Sequence, residues 1–137
     1  MSENQGGAPI KVSCAILERN GKILAARRGP GQSQAGLWEF PGGKLDEGES
    51  AQDALTRELQ EELGITASIT QSLTSVLYEY PAYRIELIPF ICRILHGEPF
   101  PHEHSEIAWL HPADAGALDW APADIPVVQE YLSLSSK

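Results

Sequence analysis

Glu58, Glu61 and Glu62 lie in the segment ALTRELQEELG, residues 54–64. At 3.6 residues per turn the three carboxylates project within an arc of roughly 100°. Like charges three and four positions apart oppose an isolated helix by roughly a few tenths of a kcal/mol per pair. A helix that keeps all three on one side implies something positive opposite. Carboxylate oxygens with no cysteine and no paired histidine nearby favour hard cations, magnesium or manganese, over zinc. Glu58 and Glu62, one turn apart, can share a metal, and Glu61 can take a neighbouring metal or a water. Gly42 and Gly43 precede this helix and let backbone groups approach closely, because no Cβ blocks them. Arg57, on the flank of the acidic arc, can grip Glu49 in a fork-like pair and so fix the loop to the helix. A merely solvated acidic face would explain neither the glycines nor the spacing of Glu49 and Arg57.

The elements that must carry these residues follow from the hydrophobic pattern. Ile10–Glu18 and Ile23–Ala26 read as strands joined by Arg19-Asn20-Gly21-Lys22, a strong hairpin signal. The stretch 29–36 (GPGQSQAG) reads as a surface loop, and Leu37–Phe40 restarts the apolar pattern before a Pro41-Gly42-Gly43 turn. Ser50 and Asp53 resemble a capping box. The helix they open keeps Ala51, Leu55, Leu59 and Leu63 on one stripe and stops at Gly64. Leu73–Tyr80 and Arg84–Leu95 read as longer strands broken at Pro81. Pro89 inside the second run predicts an edge or a bulge. Ile107–Leu110 is a short strand and Ile125–Leu134 an amphipathic helix. The expectation is an α/β protein, α+β in layout, with a mixed sheet sandwiched between helices. Residues 1–9 read as a flexible leader and 10–137 as a single domain.

The 137 residues suit one domain with one core. A net charge of −9 and a pI near 4.8 argue against a binder of nucleic-acid polymers, which needs a basic face. Cys14 and Cys92 sit in apolar runs and read as small buried thiols. No apolar run is long enough to span a membrane and none resembles a signal peptide, so a cytoplasmic location is expected.

Gly43, Glu49, Arg57-Glu58-Leu59, Glu61-Glu62 and Gly64-Ile65 match the Nudix box at every specified position. The chain therefore resembles the Nudix hydrolase family. Leu37–Lys44, the residues around Glu79-Tyr80-Pro81, Gly97-Glu98-Pro99 and the run 121–126 (APADIP) extend the likeness to MutT-type nucleotide pyrophosphohydrolases. The run 35–40 (AGLWEF), His102-Glu103-His104 and the intact APADIP resemble especially the bacterial CTP pyrophosphohydrolase branch.

The resemblance implies magnesium, with manganese able to substitute. It makes Glu58, Glu61, Glu62 and the Gly42 carbonyl metal ligands and Glu49–Arg57 a structural ion pair. It implies attack of water at the β-phosphorus of a nucleoside triphosphate, giving monophosphate and pyrophosphate. Glu103 is matched to a further glutamate near the metals, as ligand or general base, and the choice of base between Glu103 and Glu61 stays open. His102 and His104 around it are a weak zinc signal. Arg28 is matched to a phosphate-contacting arginine, and Lys44 can steer phosphates.

Asp124 falls where MutT-like proteins place an Asn that reads the base edge, though an N-cap role competes. An ionised Asp only accepts, whereas Asn also donates. An acceptor suits the exocyclic amino group of cytosine or adenine, or an N–H of an oxidised purine. Tyr80 and Trp38 are either base-stacking platforms or core aromatics. The implied role is sanitation of the nucleotide pool by a monomer or homodimer. A silent nucleotide-binding module and a hydrolase of other nucleoside-diphosphate-linked compounds are the alternatives.

Overall fold

A computed structural model describes residues 8–135. The expected leader therefore lies, through residue 7, outside the described residues. The elements in chain order are β1 (Ile10–Arg19), β2 (Lys22–Arg27), β3 (Trp38–Glu39), β4 (Gly42–Lys44), α1 (Ala51–Leu63), β5 (Thr66–Ser72), β6 (Val76–Tyr80), β7 (Tyr83–His96), β8 (Glu106–Leu110) and α2 (Ile125–Ser135). Two 3₁₀ turns, Pro112–Ala117 and Pro122–Asp124, precede α2. Among the described residues no helix is long and apolar enough to cross a membrane.

The sheet is mixed, as expected. β1 runs parallel to β7 from Ile10 opposite Ile85 to Glu18 opposite Arg93, the other strand-to-strand pairings are antiparallel, and an isolated parallel bridge joins Trp38 to Trp120. The β1–β2 hairpin turns through Asn20 and Gly21 at φ 54° and 76°, the signs a type I′ turn demands. β2 pairs with β1 only at the hairpin end, Glu18 and Arg19. The first half of β1 instead pairs with β4, from Val12 opposite Lys44 to Cys14 opposite Gly42. The sheet thus splits between β2 and β4.

Residues of β1 alternate between two apolar clusters. Cys14 and Ile16 pack with Phe40, Trp120, Val127 and Tyr131, on the side that α2 covers. Ala15 and Leu17 pack with Leu55, Leu59 and Leu63 of α1. Both faces are covered, so residues 14–17 form a continuous buried run rather than an alternating one. Ser50 Oγ accepts the Asp53 N–H at 3.1 Å to open α1, and Gly64, left-handed at φ 72°, closes it. Both thiols are free and buried.

Three expectations need correction. Gly42 and Gly43, read as part of a turn with Pro41, form a strand with Lys44, because the two missing side chains let it lie directly against β1. Thr66–Ser72, read as no element, is β5. Its TASITQS sequence is half-buried or exposed and carries too little apolar alternation to announce a strand. Pro89 sits in the interior strand β7, which corrects the edge half of that expectation; the pairing beside it is irregular, with a register shift between Ile69 and Gln71 opposite Cys92 and Ile91. The Pro89 carbonyl accepts from Leu73 N–H at 3.0 Å, where pairing along that side of β7 passes from β5 to β6. A strand residue points its N–H and C=O to the same side, so the proline removes a donor where the ladder is already interrupted.

The two glycines of β4 are required for different reasons. A Cβ at Gly42 would stand 1.9 Å from the Ser13 carbonyl oxygen, which is backbone and cannot yield without breaking the strand pair. A Cβ at Gly43 would stand 2.3 Å from the Glu58 carboxyl carbon, the far end of a movable side chain. Gly42→Ala is therefore expected to cost about 3 kcal/mol, at the upper end of overpacking, and to lower Tm by on the order of 10 °C. Gly43→Ala is expected to stay within about 1 kcal/mol of wild type while unseating Glu58. Thermal unfolding of the two variants tests this; equal losses would contradict it.

Candidate active site

The loop from β4 into α1 is tied by one guanidinium. Arg57 Nε donates to Glu49 Oε2 and its Nη2 to Glu49 Oε1, both at 2.9 Å, which is the expected fork. Arg57 also donates to the Lys44 carbonyl at 3.1 Å and Glu58 Oε2 at 3.0 Å. Glu49 Oε1 accepts a further bond from Asp46 N–H at 2.8 Å. These donors, Arg57 first, hold the Glu49 carboxyl down to about 2.

Glu58 lies against Gly43 with its side chain 16% exposed, and burial raises its carboxyl above the usual range. Glu62 is buried and its Oε1 accepts from Gly42 N–H at 3.2 Å. Burial, followed by the charges of Glu58, Glu39 and Glu103, pushes Glu62 up to about 9. Glu61 behaves differently: its side chain is 54% exposed and leans on Arg57 at 3.5 Å. The acidic face read from the helix therefore divides, with Glu58 and Glu62 turned inward and Glu61 outward.

Beside Glu62 opens a cavity of about 560 Å³ that runs past Gly42 and Gly43 to Asp124. Arg28, Lys44, Tyr80 and Glu103 also line it, so the structure gathers most of the residues singled out from the sequence. Trp38 does not; it packs beside Arg27, whose guanidinium carbon is 5.8 Å from the ring centroid. Tyr80 has its hydroxyl taken by the Ala123 N–H at 3.2 Å and its ring 5.3 Å from that of Tyr83, a second cavity aromatic. Arg28 forks onto Glu39, Nη1 reaching both oxygens at 3.1 Å, and is braced by the Ser33 carbonyl and hydroxyl.

Asp124 Oδ2 accepts from Phe40 N–H at 2.9 Å, which joins the start of α2 to the end of β3. Burial, then the charge of Glu39, raises its carboxyl well above the ordinary range. The acceptor-only reading belongs to the ionised form; a buried carboxyl that keeps its proton would accept on one oxygen and donate from the other, as an amide does.

Sequence reasoning missed Glu39, His104 and Tyr83 as members of the site. Glu39 and His104 stood inside quoted motifs, but the contact between them spans 65 positions, and no local pattern announces it.

An oxygen-only donor set suits a hard cation. Among the described residues no three carboxylate, histidine or cysteine groups form a closed metal cage. Magnesium does not need one, since it is commonly bound by one or two carboxylates together with substrate phosphates. The raised Glu62 is what such a cation would reverse, by supplying the positive charge that the protein leaves out.

The depressed Glu49 carboxyl gives a pH dependence with a definite sign. The folded state binds the Glu49 proton more weakly than the unfolded chain. The fork's contribution is therefore complete above the ordinary value of 4.5 and fades as pH falls toward about 2. Glu49→Gln is expected to lose stability at neutral pH and to show a flatter decline across that acid window. Urea unfolding at stepped pH measures it, and parallel acid slopes would contradict it.

The NUDIX domain family matches residues 7–131. The chain is 43% identical over 125 residues to the CTP pyrophosphohydrolase of Escherichia coli, covering 91% of this chain and 93% of that one. It is 36% identical over 127 residues to the 8-oxo-dGTP diphosphatase of Haemophilus influenzae, covering 90% and 92%. The solution structure of the Escherichia coli ORF135 protein superimposes with a TM-score of 0.83 at 41% identity, covering 96% of this chain and 94% of that one. With the Glu49–Arg57 fork and the paired glycines in place and the match running nearly end to end, this chain belongs to the Nudix hydrolase family.

Proposed function

We propose that this chain is a magnesium-dependent pyrophosphohydrolase of nucleoside triphosphates that clears unwanted nucleotides from the pool. Nudix hydrolases generally use a divalent metal and act on small nucleotide substrates. The observation that carries the reading is Glu62, a buried carboxylate crowded by Glu58, Glu39 and Glu103 on the wall of a cavity that also presents Arg28 and Lys44. Such an arrangement repels a free polyphosphate and accepts one whose charge is bridged by a cation.

In this reading Glu58 and Glu62 hold the metal, with the Gly42 carbonyl and Glu103 beside them. When bound, magnesium would neutralise the phosphates and stabilise the departing charge. The protein's own share is positioning. Arg28 and Lys44 meet phosphate oxygens, Glu103 accepts a proton from the attacking water, and Tyr80 and Tyr83 flank the base. The cavity position of Glu103 favours it over the outward Glu61 as the base. Asp124, able to accept and to donate, matches a base edge that does both, as cytosine does. The identity to a CTP pyrophosphohydrolase supports cytidine or modified deoxycytidine triphosphates, and the likeness to an 8-oxo-dGTP diphosphatase supports oxidised purines as the second class.

A panel of nucleoside triphosphates assayed for pyrophosphate release is expected to show turnover of cytidine-type substrates; none from any triphosphate would contradict the proposal. Glu103→Gln is expected to lower kcat on the order of tenfold or more, and Glu61→Gln by less than about threefold. The reverse order would transfer the base role to Glu61.

Glu62 also gives a stability test. Its folded value lies above the ordinary 4.5, so the metal-free protein is penalised as pH rises from there toward about 9. Magnesium is therefore expected to raise Tm more at pH 8.5 than at pH 6. Glu62→Gln is expected to raise the metal-free Tm at high pH, remove the magnesium response and abolish turnover. A magnesium shift that survives in the variant would contradict this.

A further inference from the structure

The segment between β7 and β8 is pinned at several points. Phe100 N–H donates to the Leu63 carbonyl and His102 N–H to the Glu62 carbonyl, both at 3.1 Å. Ser105 N–H donates to the Arg27 carbonyl at 2.9 Å. Between the last two pins the chain presents Glu103 to the cavity and turns His104 inward, its side chain 3% exposed. His104 Nε2 lies 2.8 Å from Glu39 Oε2, the oxygen that Arg28 Nη1 also meets at 3.1 Å. His104 Nδ1 is buried without a partner among the described residues. An unpaired buried nitrogen costs stability, so imidazole is a poor choice for filling this space. What it supplies is the Nε2 bond.

We propose that His104 is a positioning residue: its imidazole latches the Glu103 loop onto the Arg28–Glu39 pair, so that the Glu103 and Glu39 carboxylates enter the cavity in fixed relation. The role rests on the activity proposed above, because its effect on rate passes through Glu103. Displacing a reacting group by about 1 Å can cost on the order of a hundredfold, which gives the latch its leverage.

The test compares three replacements. His104→Leu removes the bond but fills the space, His104→Gln places an amide nitrogen near the position of Nε2, and His104→Asn places one nearer Nδ1. On the best nucleotide of the panel, His104→Leu and His104→Asn are expected to lower kcat on the order of tenfold or more with KM within about threefold. His104→Gln is expected to recover to within about threefold of wild type. In a Glu103→Gln background, His104→Leu is expected to cost little further, because its effect is already spent.

Amide hydrogen exchange at His102 and Ser105, expected to speed on the order of tenfold in His104→Leu, reads the latch without turnover. Unchanged exchange and kcat in His104→Leu, equal impairment of the Gln and Leu variants, or full additivity with Glu103→Gln would overturn the proposal. A wild-type protein that releases no pyrophosphate would defeat the proposed function instead, while the exchange comparison would still judge the latch. Should His104→Leu fail to fold, the Gln and Asn pair decides.

Discussion

Burial of the Glu62 carboxyl, among the charges of Glu58, Glu39 and Glu103, is the constraint from which the rest of the site follows. A chain selected for stability alone would place an apolar residue there, or a cation beside it. This chain places its strongest cation on the rim. Arg57 meets Glu49, Glu58 and Glu61, whereas Glu62 is left to the fields of Glu58, Glu39 and Glu103. The fork ties the loop to the helix without pairing with Glu62, whose carboxyl faces the cavity with its proton held up to about 9. A divalent ion bound there would displace that proton and offset both the burial and the neighbouring charges.

The sheet makes the arrangement reachable from both sides. Because β2 leaves β1 after the hairpin, β4 can insert beside the first half of β1, and its glycines bring backbone up to the acidic helix. The cavity then extends from α1, which covers one face, to the start of α2, which covers the other. Glu62, Glu103, Arg28 and Lys44 share that cavity with Tyr80, Tyr83 and the buried Asp124, so its lining is both charged and aromatic. The hydrogen bond from Phe40 N–H to Asp124 links the start of α2 to the glycines of β4, because Phe40 immediately precedes the Pro41-Gly42-Gly43 segment.

What could be read from the sequence was local. Asn20-Gly21, Ser50 with Asp53, and Gly64 each act on the backbone within a few residues, and each does in the structure what its chemistry implies. The Glu49–Arg57 fork was legible for the same reason, being eight positions apart across a turn and a helix. β4 was hidden because glycine signals a turn whenever the partner strand is unseen. β5 was hidden because its pairing with β7, not its own side chains, makes it a strand. The division of the acidic face was not legible either: it follows from the glycines of β4 packing on the helix, which cover Glu58 and Glu62, while Glu61 stays with Arg57, four positions before it on the same helix. Glu39 with His104, and Tyr83 with Tyr80, are contacts of the folded chain.

In the proposed function the inward carboxylates seat a divalent cation that receives a polyphosphate. Titration with Mn²⁺ followed by electron paramagnetic resonance, with and without a non-hydrolysable cytidine triphosphate analogue, tests it most directly. Manganese is expected to bind, to be displaced by magnesium, to bind more tightly when the analogue is present, and to bind no longer when Glu58 and Glu62 are both replaced by Gln. Manganese binding of equal strength in that double variant would contradict it.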